Sequence, residues 1–405
     1  MDWVFNLDLT IVISMNLLAI FVAIAAAILS IPALIFFVEC FASLFLPGEK
    51  PVSRPQGVSA VILVPAHDEK EGVGPTVTDV QSQLQEQDRV LVIADNCSDE
   101  TAERAREAGA EVIERSDPDR RGKGYALAFG VAHLESNPPD VVIVVDADCR
   151  LTPGSVDALL ERTIQTGRPV QADYVFQPSE RSPLSMISAL ATLVRNRVRP
   201  RGLRRLGQPC HLTGTGMAFP WKVMRAAPEL GANIVEDLAM GIELAILGHE
   251  PLLCIDAGTR SELPTGRKAA MQQRTRWEHG HIATLLEHGP RLIAEGARRG
   301  RPGLVAMGAD IIVPPLALLV GLLVLILGLA GIVAFFGGPT YPAWIAGLAF
   351  ILVGLGVALG WLRYGREAIP FRYLLLVPFY VLWKVPLYAS FLFGRRERQW
   401  RRTER

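Results

Sequence analysis

Asp146-Ala147-Asp148 closes the apolar run Val141-Val142-Ile143-Val144-Val145, which reads as a strand buried on both faces. Residues two apart on a strand point the same way, so the two carboxylates converge where the strand ends. Paired carboxylates at the carboxyl end of a parallel strand suit a hard divalent cation, Mg²⁺ or Mn²⁺, carried in with a phosphate ligand. A lone DxD is more often a solvated loop, so its weight depends on what other strand ends offer. Asp68 and Glu69 follow the strand-like Val58–Val64, and Asp95 and Asp99 follow Val90–Ala94.

The elements that must position these groups alternate. Strands are expected at Val58–Val64, Val90–Ala94, near Ala110–Ile113 and at the Val141 run, with helices over Glu100–Ala108 and Gly124–Leu134. This βαβ order predicts an α/β domain with a mostly parallel sheet, helices on both faces and ligands at the strand ends. A dinucleotide-binding version needs GxGxxG after the first strand. That turn is absent, and Gly214-Thr215-Gly216 lies far downstream without a third glycine.

The chain has 405 residues, is 50% hydrophobic and carries no formal net charge. Neither a basic excess nor a recognition motif points to nucleic acid. Charge fills the middle, and both ends are apolar. Ile11–Leu46 exceeds the roughly 20 residues one membrane span requires. It lacks the basic start and cleavage site of a signal peptide, so a retained anchor is expected, with Pro32 inside one long helix preferred to a hairpin. Leu304–Phe336, Tyr341–Leu362 and Phe371–Phe393 are further apolar stretches. The expected division is an anchor at 1–50, a cytoplasmic domain at 51–300, and membrane or interfacial helices with a basic tail at 301–405. Lys50, Arg54, Arg298, Arg299 and Arg301 flank the middle segment and set it on the cytoplasmic side of the cell membrane. Lys384, Pro378 and Pro386 favour a re-entrant or interfacial course for the last stretch, which keeps the tail Arg395–Arg405 cytoplasmic. The scattered Cys40, Cys97, Cys149, Cys210 and Cys254 have no CxxC spacing and read as free thiols.

Further motifs stand in order along the chain: Pro65-Ala66-His67-Asp68-Glu69, Asp95-Asn96-Cys97-Ser98-Asp99-Glu100-Thr101, Gly122-Lys123-Gly124, Asp146-Ala147-Asp148, Glu236-Asp237 and Gln273-Arg274-Thr275-Arg276-Trp277. With this set, Val58–Trp277 resembles a membrane-bound family-2 glycosyltransferase of GT-A fold, similar to chitin, hyaluronan, cellulose and poly-N-acetylglucosamine synthases. Two departures are Asp68, where Asn is commoner, and Val235, where the cellulose-synthase branch often has Thr.

The resemblance implies a UDP-sugar donor and Mg²⁺ or Mn²⁺ as cofactor. Asp148 would hold the cation, Asp146 the ribose or the cation, and Lys123 would assist as the diphosphate leaves. Asp95 would accept hydrogen bonds from the uracil or ribose, and Glu69 belongs to the donor-binding set. Asp99 is as readily a helix cap as a ligand. Asp237 is the expected base for an inverting displacement, with Glu236 beside it, although acids also favour a helix start such as Leu238–Leu247. Gln273, Arg276 and Trp277 share one helix face, where Trp277 can stack on a sugar and Arg276 can meet phosphate. His211 is a candidate for the acceptor pocket or a plain loop residue. His279, His281 and His288 lack metal spacing and are expected on a solvated or membrane-facing surface. Arg195, Arg197, Arg199, Arg201, Arg204 and Arg205 form a basic cluster suited to lipid headgroups or an anionic lipid acceptor.

The expected function is metal-assisted transfer of a sugar to a growing polysaccharide at the cytoplasmic membrane face, with membrane lipids and export or assembly partners around it. Single transfer to a lipid, as in ceramide glucosyltransferases, is the alternative. A silent membrane scaffold is the reading of another class, and the presence of Asp146, Asp148 and Asp237 weighs against it.

Overall fold

The computed structural model describes residues 2–46, 48, 53–178, 180–228, 236–262 and 267–392, with backbone alone for 2–13, 236, 267–270, 272 and 392. The basic tail Arg395–Arg405 lies outside the described residues, and so do Lys50 and Val235.

One eight-stranded sheet organises the middle of the chain. Its strands are β1 (Ala60–Ala66), β2 (Arg89–Asp95), β3 (Glu111–Arg115), β4 (Val141–Val144), β5 (Arg150–Leu151), β6 (Val170–Gln177), β7 (Met217–Pro220) and β8 (Leu252–Glu262). Their spatial order is β3-β2-β1-β4-β7-β6-β8-β5. β1 runs parallel to β2 and β4, and β2 runs parallel to β3. β7 then enters antiparallel to both β4 and β6. The sheet is mixed and mostly parallel, as the α/β reading expects.

Alternation along the central strands explains why they read as unbroken apolar runs. Val141 and Ile143 of β4 join one core with Ala60 and Ile62 of β1, while Val142 and Val144 join the other with Val61 and Leu63. Val73, Val77 and Val80 of the helix Val73–Gln81 cover the first face, and Ala126, Leu127 and Leu134 of the helix Lys123–Leu134 cover the second. A strand with helices on both sides has no polar face to show.

Among the described residues, four helical segments are long and apolar enough to cross a membrane: Ser14–Phe45, Leu316–Phe335, Tyr341–Gly365 and Phe371–Phe391. The first belongs to a single helix, Asp2–Ala42, that carries Pro32 inside it, as the one-helix reading expects. The apolar stretch Leu304–Phe336 is not one element. It breaks into Pro302–Ile311 and Leu316–Phe335 across Pro314-Pro315, whose missing N–H groups stop a helix. The shorter helix lies instead against the helix Arg267–Arg299, so closely that a β-carbon on Gly308 would stand 2.9 Å from the carbonyl oxygen of Gly289. Lys384 is tolerated within the last apolar segment because it is buried and paired with Glu278 of that same helix.

The main core runs on from the sheet into the apolar helices, with Phe36, Leu323, Val353 and Val381 in the same cluster as Ile62. A β-carbon on Gly202 would stand 1.9 Å from the carbonyl oxygen of Glu39, so only glycine lets the helix Arg199–Arg205 cross the end of the N-terminal helix.

Candidate functional site

β1, β2 and β4 all deliver acids at one edge of the sheet, where a cavity of about 290 Å³ opens. Glu69, Asp95, Lys123, Asp146, Asp148, Asp237, Gln273, Arg276 and Trp277 all line it. The backbone of Glu236 opens the helix Glu236–Ile246, and its side chain lies outside the described residues.

At one end Asp95 is held rigidly: its Oδ1 accepts from Arg115 Nη1 at 2.6 Å and from Asn96 Nδ2 at 3.1 Å. His67 Nδ1 meets the Asp95 carbonyl at 2.7 Å, which ties the ends of β1 and β2 together. Asp68 is not on the lining. It takes a left-handed φ of 53° and accepts from the Ser98 backbone N–H at 2.6 Å, a loop-stitching role open to Asp as to Asn. Asp99 Oδ1 accepts from the Thr101 N–H at 3.0 Å just ahead of the helix Thr101–Glu107, whose N-cap residue is Glu100.

In the middle, the strand-end pair is built as the sequence suggests. Oxygens of Asp146 and Asp148 come within 4.8 Å of each other and of Cys149 Sγ. Burial pushes the Cys149 thiol up to about 12, and it donates to Asp148 Oδ1 at 3.4 Å. The two carboxylates are hard oxygen donors of the kind that suits Mg²⁺ or Mn²⁺. Lys123 Nζ donates to Asp146 Oδ1, and also to the Gly214 carbonyl at 2.6 Å. It stands on the first turn of the helix Lys123–Leu134, whose free N–H groups favour an anion.

Asp237 faces this group across the cavity. Its Oδ1 accepts from the Leu238 N–H at 2.8 Å. Burial raises its carboxyl above the usual range, and the charges of Lys123 and Arg195 pull the other way. A carboxylate made more basic by burial yet kept near cations is suited to take a proton. Trp277 closes the opposite wall, its ring 5.1 Å from that of Phe176. Gln273 and Arg276 stand beside it on the helix Arg267–Arg299.

Some site residues carry no motif. The turn Gly214-Thr215-Gly216 precedes β7, and Met217 pairs with Val144 of β4, so antiparallel pairing swings the turn onto the strand-end acids. Thr215 Oγ1 accepts from the Asp146 N–H at 3.1 Å, and Gly214 has a φ of 92°. Tyr174, Asn196 and Arg195 also line the cavity. A pair of glycines flanking a threonine next to a strand was the available signal for a tight turn.

The expectations for the remaining cations change. Arg197 and Arg201 both donate to Asp173 at 2.7 Å, Arg199 binds Glu39 and Asp310, and Arg204 donates to the Leu253 carbonyl at 2.6 Å. The cluster is therefore mostly internal rather than a headgroup surface; Arg195 alone of the six reaches the cavity. His211 Nε2 stands 3.2 Å from Asp310 Oδ2, away from the cavity lining. His279 and His281 are buried, not surface residues, and His279 Nε2 donates to the Leu387 carbonyl at 3.1 Å. All five cysteines are free.

Residues 55–280 match the family model described as "Glycosyltransferase like family 2". Among solved structures, the mannosyltransferase PcManGT from Pyrobaculum calidifontis, in complex with GDP-Man and Mn²⁺, is similar with a TM-score of 0.52 and 16% identity, covering 92% of this chain and 99% of that one. Glucosyl-3-phosphoglycerate synthase from Mycobacterium tuberculosis, in complex with Mn²⁺, UDP and phosphoglyceric acid, aligns at a TM-score of 0.37 and 21% identity over 55% of this chain and 78% of that one. No curated protein matches the sequence.

Proposed function

The chain belongs to the family-2 glycosyltransferases, and on that premise we propose that it moves a sugar from a UDP-sugar to an acceptor hydroxyl with inversion. The observation that carries this reading is the placement of Asp237, the Asp146–Asp148 pair, Lys123 and Trp277 around one cavity.

Trp277 and Gln273 hold the sugar, and Asp95 orients the nucleoside. Asp237 takes the proton of the attacking hydroxyl. The anomeric carbon gains the acceptor oxygen as its bond to the diphosphate breaks, and the electron pair leaves with UDP. Asp146 and Asp148 are the residues that would hold a divalent cation, which supplies charge neutralisation for the diphosphate when bound. Lys123 adds a fixed positive charge on the same side. Bound to both Asp146 and the Gly214 carbonyl, it is already in place before charge develops.

By the excess of basic residues next to the apolar helices, the transferase part faces the cytoplasm. A growing polysaccharide is the acceptor that the QxxRW resemblance implies. Transfer to a membrane lipid is favoured by a separate observation, an apolar cavity that continues from the catalytic one among the apolar helices. The test is nucleotide release by the full chain in lipid, across a panel of UDP-sugars and GDP-mannose with Mn²⁺ or Mg²⁺, with mass spectrometry of the product. A polymer ladder supports the synthase reading and a singly glycosylated lipid the other. Binding of nucleotide without any release, for every donor, would return the protein to the scaffold class.

A further inference from the structure

The catalytic cavity does not end at Trp277. A second cavity of about 130 Å³ shares Thr192, Arg195 and Trp277 with it. Its walls are mostly hydrocarbon, supplied by Phe36, Leu190, Val320, Val357 and Val381 from separate helices, with Arg199, Arg274, Glu278, His281 and Lys384 also on the lining.

The cations along this path are not equally satisfied. Lys384 is paired with Glu278, and Arg199 with Glu39 and Asp310. Arg195 and Arg274 have no carboxylate within salt-bridge distance among the described residues. Arg274 is only 7% exposed, and its Nη1 is buried with no hydrogen-bond partner among the described residues. Arg195 is exposed to the space that the two cavities share, where it feels the charges of Asp237 and Glu278. Arg274 lies over the Trp383 ring at 5.8 Å, whereas Arg195 is the accessible cation at the junction, where an anionic group can form a charge-assisted hydrogen bond with it.

The path therefore has an order: hydrocarbon walls, then an unpaired arginine, then Asp237. We propose that it seats an acceptor lipid built in the same order, with a hydrocarbon chain in the second cavity, a phosphate at Arg195 and a hydroxyl-bearing headgroup reaching Asp237. This rests on the reading that the chain transfers sugar to a lipid. The headgroup hydroxyl oxygen bonds to the anomeric carbon, its proton passes to Asp237, and the diphosphate departs with the electron pair of the broken bond. A phospholipid with a polyol headgroup and a polyprenyl diphosphate carrying one sugar share this chemistry, because both place phosphate between chain and hydroxyls.

A binding measurement separates this proposal from turnover. The full chain in phosphatidylcholine nanodiscs is titrated with fluorescent phosphatidylinositol, with a fluorescent polyprenyl diphosphate bearing one sugar, and with a neutral glucosyl diacylglycerol. At least one phosphate-bearing lipid should bind roughly tenfold more tightly than the neutral one, as one charge-assisted hydrogen bond gives. The tighter of the two identifies the source. Arg195→Gln should remove that preference and Arg195→Lys should keep it, while Val320→Phe, which fills the apolar cavity, should weaken all three lipids. Equal binding of neutral and phosphate-bearing lipids, a preference that survives Arg195→Gln, or indifference to Val320→Phe would overturn the proposal. UDP binding to the same samples reports on the transferase reading alone, and its absence would sink that reading whatever the lipids do.

Discussion

A β-carbon on Gly214 would stand 3.2 Å from Oδ2 of Asp237 and 3.7 Å from Nζ of Lys123. The glycine thus sits between the proposed base and the Lys123 ammonium. With φ at 92°, it also holds a backbone conformation that other residues rarely adopt. Gly214→Ala should push the Asp237 carboxylate aside, lowering kcat about a hundredfold, while UDP affinity changes much less. Steady-state nucleotide release alongside calorimetric UDP binding checks both halves.

Asp237→Asn keeps the shape and removes the proton acceptor. Turnover should fall by roughly 10²–10⁴-fold, the usual worth of a general base, with donor binding retained. A variant that turns over at the wild-type rate would remove Asp237 from the mechanism.

The wild-type pH profile tests the same group. Asp237 can take a proton only when ionised, and burial raises its folded pKa. Activity should therefore be full above that pKa and lost as pH falls through it, with the acid limb lying above the ordinary aspartate value of about 4. The limb should vanish from the residual activity of Asp237→Asn.

Asp146→Asn and Asp148→Asn each remove one carboxylate from the strand-end pair. Mn²⁺ affinity, read by electron paramagnetic resonance with UDP present, should weaken by at least about tenfold in each. A chelator should likewise weaken UDP binding to the wild type. Unchanged Mn²⁺ binding in both variants would move the cation elsewhere.

Arg199 is the centre of a buried cluster, with Nε 2.6 Å from Glu39 and Nη2 2.5 Å from Asp310. Arg199→Ala would leave two acids without their cation, a change that typically costs about 3–5 kcal/mol. The half-life of folded protein at elevated temperature should shorten accordingly, and Arg199→Met should not restore it.

What could be read from the sequence is what depends on near neighbours in the chain. The runs at Val141 and Val90 announce strands, and acids at their ends land at the carboxyl edge because parallel neighbours share a direction. Gln273, Arg276 and Trp277 meet because helical spacing aligns them. The basic cluster misleads for the opposite reason: Asp173, Glu39 and Asp310, which neutralise it, come from distant segments and become visible only when the helices pack. Burial of His279 likewise depends on the helix Val377–Leu392, far along the chain. The glycines at 214 and 216 mark a tight turn in the sequence, but its place beside the strand-end acids depends on β7 pairing antiparallel with β4, which only the folded sheet shows.

On the helix Arg267–Arg299, Arg276 and Trp277 face the cavity, while Glu278 bonds Lys384 and Tyr388 and His279 bonds the Leu387 carbonyl, all in the last apolar segment. The proposed substrate contacts and the residues that bond the last apolar segment are consecutive, with no lever arm between them. If the last segment tilts to match a thicker or thinner bilayer, the sugar-binding wall turns with it. On that reading turnover should vary with bilayer thickness, to be measured in vesicles of graded acyl-chain length.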